Sequence, residues 1–468
     1  MNDSRVPGTA TTTYAWVVVL ILMIAYVFSF IDRQILNLLV GPIRRDLGIS
    51  DTQMSLLMGF SFAIFYSLLG IPLGRAADSR SRRGLIAAGL IVWSLMTALC
   101  GTARHYWQLF LFRIGVGVGE AALSPAAYSM IADYFPPERR ATAISVYSAG
   151  IYVGSGLAFL LGGLVIHYVS AQGELALPLV GQTRPWQVVF YVLGIAGLLF
   201  SLAFLFVREP PRQGLQADHT AVPFGEVTAY LWRNRRAVLC HNLGFAMIAF
   251  CSYGAAAWIP SFYIRTHGWS VGSVGIVYGL VVMVFGTAGI VFGGRLADRW
   301  LARGVTDAAL RVGLWSCAGC GFGSLVYLTL PSAELATIAL VPVVFALGLP
   351  FGAAPSAIQE LVPSPMRGQA TAIYLFVVNL VGLGIGPTAV AFVTDYVFGD
   401  DAALRWSLLL VCGAACLIAA ALLAAGRHPY RAALAALRAA PSAWAPSGTV
   451  NWDKELRRQP PVATDDAL

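Results

Sequence analysis

Twelve long apolar runs separated by short polar segments dominate the pattern of this sequence. Each run has about 20 residues or more, the length that a helix needs to cross the ~30 Å hydrocarbon core of a bilayer. The pattern therefore predicts an all-α membrane protein with twelve transmembrane helices. The predicted helices cover residues 14–40, 52–73, 84–103, 106–131, 141–168, 186–207, 237–263, 271–294, 310–330, 334–356, 370–394 and 404–425.

The composition supports a membrane protein. Hydrophobic residues make up 58% of the 468-residue chain and charged residues only 12%, about half of the ~25% typical of soluble proteins. So few charges cannot cover a water-exposed surface, which excludes a cytosolic enzyme, a secreted disulfide scaffold and a disordered chain. The first apolar run is too long for the core of a cleavable signal peptide, so we expect it to remain as a membrane helix.

The basic residues predict the orientation. Of the 31 lysines and arginines, 23 lie in segments that share a side with the N-terminus and six lie on the other side. Cytoplasmic loops are enriched in these residues, so we expect both termini to be cytoplasmic in a multi-pass inner (plasma) membrane protein. The net charge of +8 is spread between the apolar runs, so we expect no nucleic-acid partner.

The longest polar interruption, 208–236, divides the chain into two sets of six helices. We therefore predict a cytoplasmic N-terminus at 1–13, an N-terminal six-helix bundle at 14–207, a cytoplasmic linker at 208–236, a C-terminal bundle at 237–425 and a cytoplasmic tail at 426–468. Within the tail, 430–440 is typical of a basic amphipathic helix, and the segment after Pro441 has the composition of disorder.

The two halves repeat each other. Gly74-Arg-Ala-Ala-Asp78 follows the second predicted helix, and Gly294-Arg-Leu-Ala-Asp298 follows the eighth. Arg140-Ala-Thr-Ala-Ile144 opens the fifth, and Ala370-Thr-Ala-Ile373 opens the eleventh. Parallel repeats of six helices are the construction of the major facilitator superfamily, with a site between the halves near the middle of the membrane.

The loop after the second helix resembles the G-x-L-x-D-R-x-G-R-R signature of that superfamily, departing from it at Ala76, Ser79 and Ser81. An Asp at this position can cap a helix N-terminus or pair with Arg, which would hold the cytoplasmic side closed. The alternative is a solvated turn that only sets topology. The repeat favours a cytoplasmic gate, for which the candidates are Asp78, Arg82, Asp298 and Arg299.

Four ionisable residues lie deep within the predicted helices: Asp32, Arg33, Arg113 and Glu120. Charges at this depth are costly and commonly mark proton or substrate sites. The helical rise places Arg113 level with Asp32, so we expect these two to form a structural ion pair, and it places Glu120 nearer mid-membrane. Glu120 is therefore the first candidate for proton coupling. The alternative is a static ion-pair network.

The C-terminal half offers polar and aromatic side chains but few deep charges. Tyr253, Trp258 and Asn379 are the candidate solute contacts, and the tenth helix is apolar. A cavity with one ionic wall and one apolar wall would suit an amphipathic solute. The alternative is that these faces contact lipid.

The sequence shows no enzymatic or cofactor motif. His241, near the start of the seventh predicted helix, has no catalytic partner, and no ATP-binding motif is present. Cys317-x-x-Cys320 resembles half of a metal or redox site, but no His or second pair accompanies it, so packing is the simpler interpretation. We expect no enzyme activity, cofactor or metal.

Four segments of the first half carry a resemblance to a known family. They are Phe30-Ile-Asp32-Arg33, Arg113-Ile-Gly-Val-Gly-Val-Gly-Glu120-Ala, Ile131-Ala-Asp133-Tyr-Phe-Pro136 and Val153-Gly-Ser-Gly-Leu157. With these segments the sequence resembles the spinster branch of the major facilitator superfamily.

This resemblance implies proton-linked lipid export, with Asp32 and Glu120 in coupling, Arg33 and Glu120 in binding, and Arg113 as their support. We expect a monomer that contacts protons, membrane lipids and a small amphipathic or anionic solute. The alternative is a symporter of small organic anions or sugar acids.

Overall fold

The fold is that of an all-helical membrane protein. The structure is a computed structural model that describes residues 12–135, 137–170, 175–177, 181–211, 222–363 and 366–439. Within these residues, twelve helices are long and apolar enough to cross a membrane. The predicted fold class is therefore confirmed.

The twelve spans divide into two sets of six. The first set is span 1 Thr13–Leu38, span 2 Asp51–Gly70, span 3 Arg82–Cys100, span 4 Tyr106–Tyr134, span 5 Val146–Ile166 and span 6 Pro185–Leu205. The second set is span 7 Arg235–His267, span 8 Val271–Ala302, span 9 Ala308–Thr329, span 10 Ala333–Glu360, span 11 Arg367–Phe398 and span 12 Asp401–Ala439.

Because the number of spans is even, the two ends of the described chain lie on the same face. We call this face, which carries Thr12 and Ala439, the terminal face, and the opposite face the distal face. The repeated Gly74–Asp78 and Gly294–Asp298 segments lie at the terminal-face ends of the second and eighth helices, Ser61–Ser79 and Thr287–Ala302. The sequence repeat therefore occupies equivalent positions in the two halves.

Shorter elements connect the spans. On the distal face, helix Val40–Leu47 follows span 1, and strands Leu175–Leu177 and Gly181–Thr183 pair as an antiparallel hairpin. On the terminal face, helix Phe224–Arg233 occupies part of the segment expected to be a linker, and the last helix continues to Ala439 rather than ending at 425. The predicted N-terminal segment and the tail after Ala439 lie outside the described residues.

Spans 2, 8 and 11 contain π-helical turns, in which the backbone hydrogen bonds skip one additional residue. These turns are Leu56–Phe60, Val282–Gly286, Asn379–Ile385 and Val393–Phe398. Single π turns inside α-helices are frequent at functional sites, because they re-aim side chains and carbonyl groups. All four turns lie in spans that meet a span of the other half.

Glycines bring the two halves close together. A Cβ atom at Gly156 of span 5 would lie 2.5 Å from the Met283 Cβ of span 8, and one at Gly59 of span 2 would lie 2.2 Å from the Leu383 carbonyl oxygen of span 11. No side chain larger than hydrogen fits at these contacts. The close approach encloses a central space between the halves, where the deep charges of spans 1 and 4 lie.

Candidate functional site

An ion pair between spans 1 and 4 forms the centre of the candidate site. Arg33 donates from Nε to Glu120 Oε2 over 2.7 Å, and Ser29 donates from Oγ to the same oxygen over 2.5 Å. Glu120 is 1% exposed and Arg33 is 8% exposed. Among the described residues, the second carboxylate oxygen, Oε1, has no hydrogen-bond partner. Half of this buried carboxylate is therefore available to a proton or another ligand.

Three aromatic rings surround the Arg33 guanidinium. Its central carbon lies 4.9 Å from the ring centre of Phe30 and 4.5 Å from those of Phe62 and Tyr66. Each desolvated contact of this kind stabilises the cation by roughly 1–2 kcal/mol. The rings therefore allow Arg33 to remain charged in an apolar region and fix the plane in which it meets Glu120.

Arg113 does not form the expected ion pair with the Asp32 carboxylate. Arg113 instead donates from Nη1 to the backbone carbonyl of Asp32 over 3.1 Å and from Nε to that of Leu57 over 3.4 Å. The Asp32 carboxylate points towards span 3, where Thr97 donates to it over 3.1 Å. Arg113 thus links spans 1, 2 and 4 through main-chain oxygens, one of which lies in the π-helical turn of span 2.

Two neighbouring cavities lie beside this cluster. With the part that is open to solvent included in both, the larger has a volume of about 640 Å³ and the smaller about 300 Å³. Arg33 and Asn37 line the smaller cavity, while Gln34 and Tyr253 line both. The larger cavity is walled mainly by Phe30, Ile151, Tyr152, Phe159, Tyr278, Val282, Val344, Leu347 and Phe351. A cavity with a polar wall therefore lies next to a larger, mainly apolar cavity.

The three predicted solute contacts of the C-terminal half occupy different environments. Tyr253 lies in the wall of both cavities. Trp258 is fully buried, and its indole N–H donates to the Pro387 carbonyl over 2.9 Å. Asn379 is half-buried at the start of the π-helical turn of span 11. Neither Trp258 nor Asn379 lines either cavity, so the structure brings only Tyr253 to Arg33.

On the terminal face, Arg82 is the centre of a polar cluster within the first half. It pairs with Asp133 and, over 2.8 Å from Nε, with Glu209. Partial burial raises the pKa of Glu209, but the hydrogen bonds from Arg82, Arg83 and Ser81 outweigh it and leave that pKa below its ordinary value. This cluster connects the start of span 3 with the end of span 4 and the segment after span 6.

Among the described residues, Asp298 and Arg299 do not form a matching cluster in the second half. The side chain of Asp78 lies outside the described part of the structure. Asp298 and Arg299 are exposed at the end of span 8, and no ion pair described here joins them to the first half. The assignment of these residues to a gate stays a prediction.

The distal face carries an ion-pair cluster that the sequence analysis missed. Arg265 of span 7 donates to both oxygens of Asp51 in span 2, over 2.5 Å and 2.7 Å. Arg44 pairs with Asp51 over 2.9 Å and with Asp401 over 2.6 Å. The side chain of Asp51 is 0% exposed. This distal cluster of Arg44, Asp51, Arg265 and Asp401 binds the two halves together on the distal face.

A neighbouring contact also joins the two halves on the distal face. Asp395 of span 11 accepts hydrogen bonds from both the backbone N–H and the hydroxyl group of Thr52, each over 2.7 Å. The sequence contained one signal for these contacts, since Arg44 and Arg265 are among the few cations on the distal side. It gave no indication that Arg265 pairs with Asp51, 214 positions away, or that Arg44 pairs with Asp401, 357 positions away.

Comparison with known proteins identifies the family. Residues 22–387 match the family model described as Major Facilitator Superfamily, and the chain belongs to this superfamily. It is 32% identical over 420 residues to an MFS-type efflux pump of Mycolicibacterium smegmatis, covering 87% of this chain and 91% of the relative. It is 26% identical over 392 residues to a hexuronate transporter of Bacillus subtilis, covering 81% of this chain and 87% of the relative.

A solved structure supports the spinster resemblance. The crystal structure of a bacterial homolog to the human lysosomal transporter Spinster, inward-facing and unoccupied, matches with a TM-score of 0.73 and 27% sequence identity. The match covers 91% of this chain and 98% of that chain. The chain is therefore a spinster-like member of a family of transporters, not of enzymes.

Proposed function

We propose that this protein is a proton-coupled secondary active transporter that works by alternating access and moves an amphipathic or lipid-like solute, of the lysolipid or sphingoid-phosphate type. Glu120 carries the proton, and Asp32 tunes it. The central observation is the half-satisfied Glu120 carboxylate, with one oxygen held by Arg33 and Ser29 and the other without a partner among the described residues.

Coupling follows from competition for Arg33. Burial favours a neutral carboxyl group, and a paired guanidinium favours the carboxylate. Because Arg33 also lines the smaller cavity, a phosphate or carboxylate group of a solute would compete with Glu120 for the same cation. Glu120 would then take up a proton as the solute binds and release it when Arg33 returns.

The shape and chemistry of the cavities favour an amphipathic solute. Asn37 donates to Gln34 over 2.5 Å beside Arg33, which gives the smaller cavity a polar wall suited to a head group. The larger cavity, with its aromatic and aliphatic lining, suits an acyl chain. Gln34 and Tyr253, which line both cavities, would lie where head group and chain meet.

The alternative function is proton-linked symport of small organic anions or sugar acids. The similarity to a hexuronate transporter favours it, as does the presence of Arg33. Against it stands the apolar lining of the larger cavity, which would leave most of a sugar acid's hydroxyl groups without partners.

We also propose that the terminal face is cytoplasmic, in an inner (plasma) membrane, and that the structure represents the inward-facing state of a monomer. The arginine distribution supports the orientation. The distal ion pairs, which join the halves on the side away from the termini, support the state.

Transport by the purified full-length chain in liposomes tests this proposal. The solutes are a fluorescent lysophospholipid, a sphingoid-base phosphate and a labelled hexuronate, each with and without an imposed pH gradient. We expect gradient-dependent movement of a lipid and little movement of hexuronate. The reverse preference would support the anion symporter, and transport independent of the gradient would contradict proton coupling.

A further inference from the structure

Cysteines from three spans of the C-terminal half meet at one point, away from the charged cluster. Cys251 of span 7 lies 3.3 Å from Cys320 of span 9 and 3.9 Å from Cys416 of span 12, measured between sulfur atoms. All three sulfurs lie within 4.8 Å of one another. Each residue is at most 5% exposed.

Two more cysteines lie one helical turn from this group. Cys317 precedes Cys320 on span 9, and Cys412 precedes Cys416 on span 12 with its sulfur 3.9 Å from the Cys251 carbonyl. In the sequence, no second cysteine pair lies near Cys317-x-x-Cys320. The fold supplies one, because span 12 packs beside span 9 and its two cysteines lie four residues apart on one helix face.

We propose that Cys251, Cys320 and Cys416 form a binding site for a soft monovalent metal ion, Cu(I). Sulfur ligands select soft cations of this kind. Three sulfurs in a plane around one ion, each at about 2.3 Å, would lie about 4 Å apart. The observed separations of 3.3 Å and 3.9 Å, and a third of at most 4.8 Å, are close to that value.

The surroundings favour Cu(I) over Zn²⁺. Structural zinc sites are almost always tetrahedral with four protein ligands, whereas three sulfurs are grouped here. Cysteine coordinates metals as the thiolate. Each cysteine that binds Cu⁺ therefore releases its proton to solvent, and no atom changes oxidation state.

Metal binding would clamp three spans to one another. Spans 7, 9 and 12 supply one ligand each, so the ion would stabilise the C-terminal half as a unit. Glu120, Arg33 and their partners lie on the other half and do not take part. The metal site and proton coupling can therefore be tested separately.

Competition for Cu(I) tests the site. The full-length protein in detergent micelles is mixed, without oxygen, with Cu(I) and a colorimetric Cu(I) chelator. We expect the wild type to retain one copper per chain, with X-ray absorption showing three sulfurs at about 2.3 Å. We also expect copper to raise its unfolding temperature. The variant C251S/C320S/C416S should retain none, while C100S/C240S, which alters two cysteines outside the group and not adjacent to it, should behave as the wild type.

Two outcomes would overturn the site. One is loss of all copper from the folded wild type to the chelator. The other is equal retention by wild type and triple variant. If the triple variant does not remain monodisperse, the single variant C416S replaces it. We expect C416S to lose its copper to the chelator, and we expect added copper to leave its unfolding temperature unchanged.

Discussion

Arg33 Nε lies 2.7 Å from Glu120 Oε2, and both side chains are shielded from water between spans 1 and 4. Removal of one partner from a buried ion pair of this kind strongly destabilises the protein, because the remaining charge has no compensation. The same Arg33 faces the smaller cavity, where a solute can reach it. One residue thus contacts both the proposed proton carrier and the proposed solute site.

The first prediction concerns Arg33. Replacing it by Ala should weaken binding of a solute with an anionic head group by about 10- to 100-fold, because hydrogen bonds to charged groups contribute about 1.5–3 kcal/mol. Binding of an analogue with a neutral head group should change much less. Equilibrium binding in detergent checks this, with R33K as the control that keeps the charge. Equal losses for both analogues would contradict a head-group role.

The second prediction concerns the distal cluster. Asp51→Asn should weaken the closed distal face by roughly 3–5 kcal/mol, the cost of breaking a buried ion pair, because Arg44 and Arg265 lose a shared carboxylate. The reporter is the substitution N37C, whose new thiol is labelled by a membrane-impermeant reagent added from the distal side. The rate of this labelling should be higher when D51N is also present.

R45A is the matched control for this prediction, since Arg45 lies beside Arg44 on the same short helix. It should leave the labelling unchanged. If N37C is labelled no faster with D51N than without it, the cluster does not hold the distal face closed.

The third prediction concerns the pH dependence of stability. Asp307 is 1% exposed and pairs with Arg311 and Arg427 over 3.1 Å and 2.7 Å. Burial alone raises the pKa of Asp307, but the two guanidinium groups outweigh it and leave that pKa below its ordinary value. Its ionised form therefore stabilises the fold above the ordinary pKa of an Asp, and this stabilisation disappears as pH falls through the lowered value.

Thermal unfolding of D307N in detergent checks this. Its unfolding temperature should lie below that of the wild type at neutral pH, and the difference should shrink as the solution is acidified below about pH 4. The exposed Asp298 provides the control, because D298N should match the wild type throughout. A difference that stays constant with pH would contradict the assignment.

The sequence was sufficient to predict the spans and the four deep ionisable residues, because a bilayer sets the length of apolar runs and penalises charges within them. It could not predict the direct hydrogen bond from Arg33 Nε to Glu120 Oε2. The spacing of residues along span 4 fixes their face, but the rotation of span 1 against span 4 depends on packing. The predicted ion pair between Arg113 and the Asp32 carboxylate was wrong for this reason, and Arg113 bonds to the Asp32 main chain instead.

Contacts between distant segments were beyond sequence reasoning. Asp51 and Arg265 are 214 positions apart, and each alone resembles an ordinary charge at a helix end. Only the meeting of spans 2 and 7 makes them a pair. Cys251, Cys320 and Cys416 are also brought together by the fold alone, from three spans.

The central claim is that the Glu120 carboxylate carries the coupled proton. Transport in liposomes driven by a pH gradient, run beside a solute-binding assay on the same preparations, tests it most directly. Glu120→Gln keeps the shape of the side chain but cannot exchange a proton, so it should abolish the response to the gradient while the folded protein still binds solute. If E120Q follows the gradient as the wild type does, the claim is contradicted, and D32N is then expected to lose the response instead.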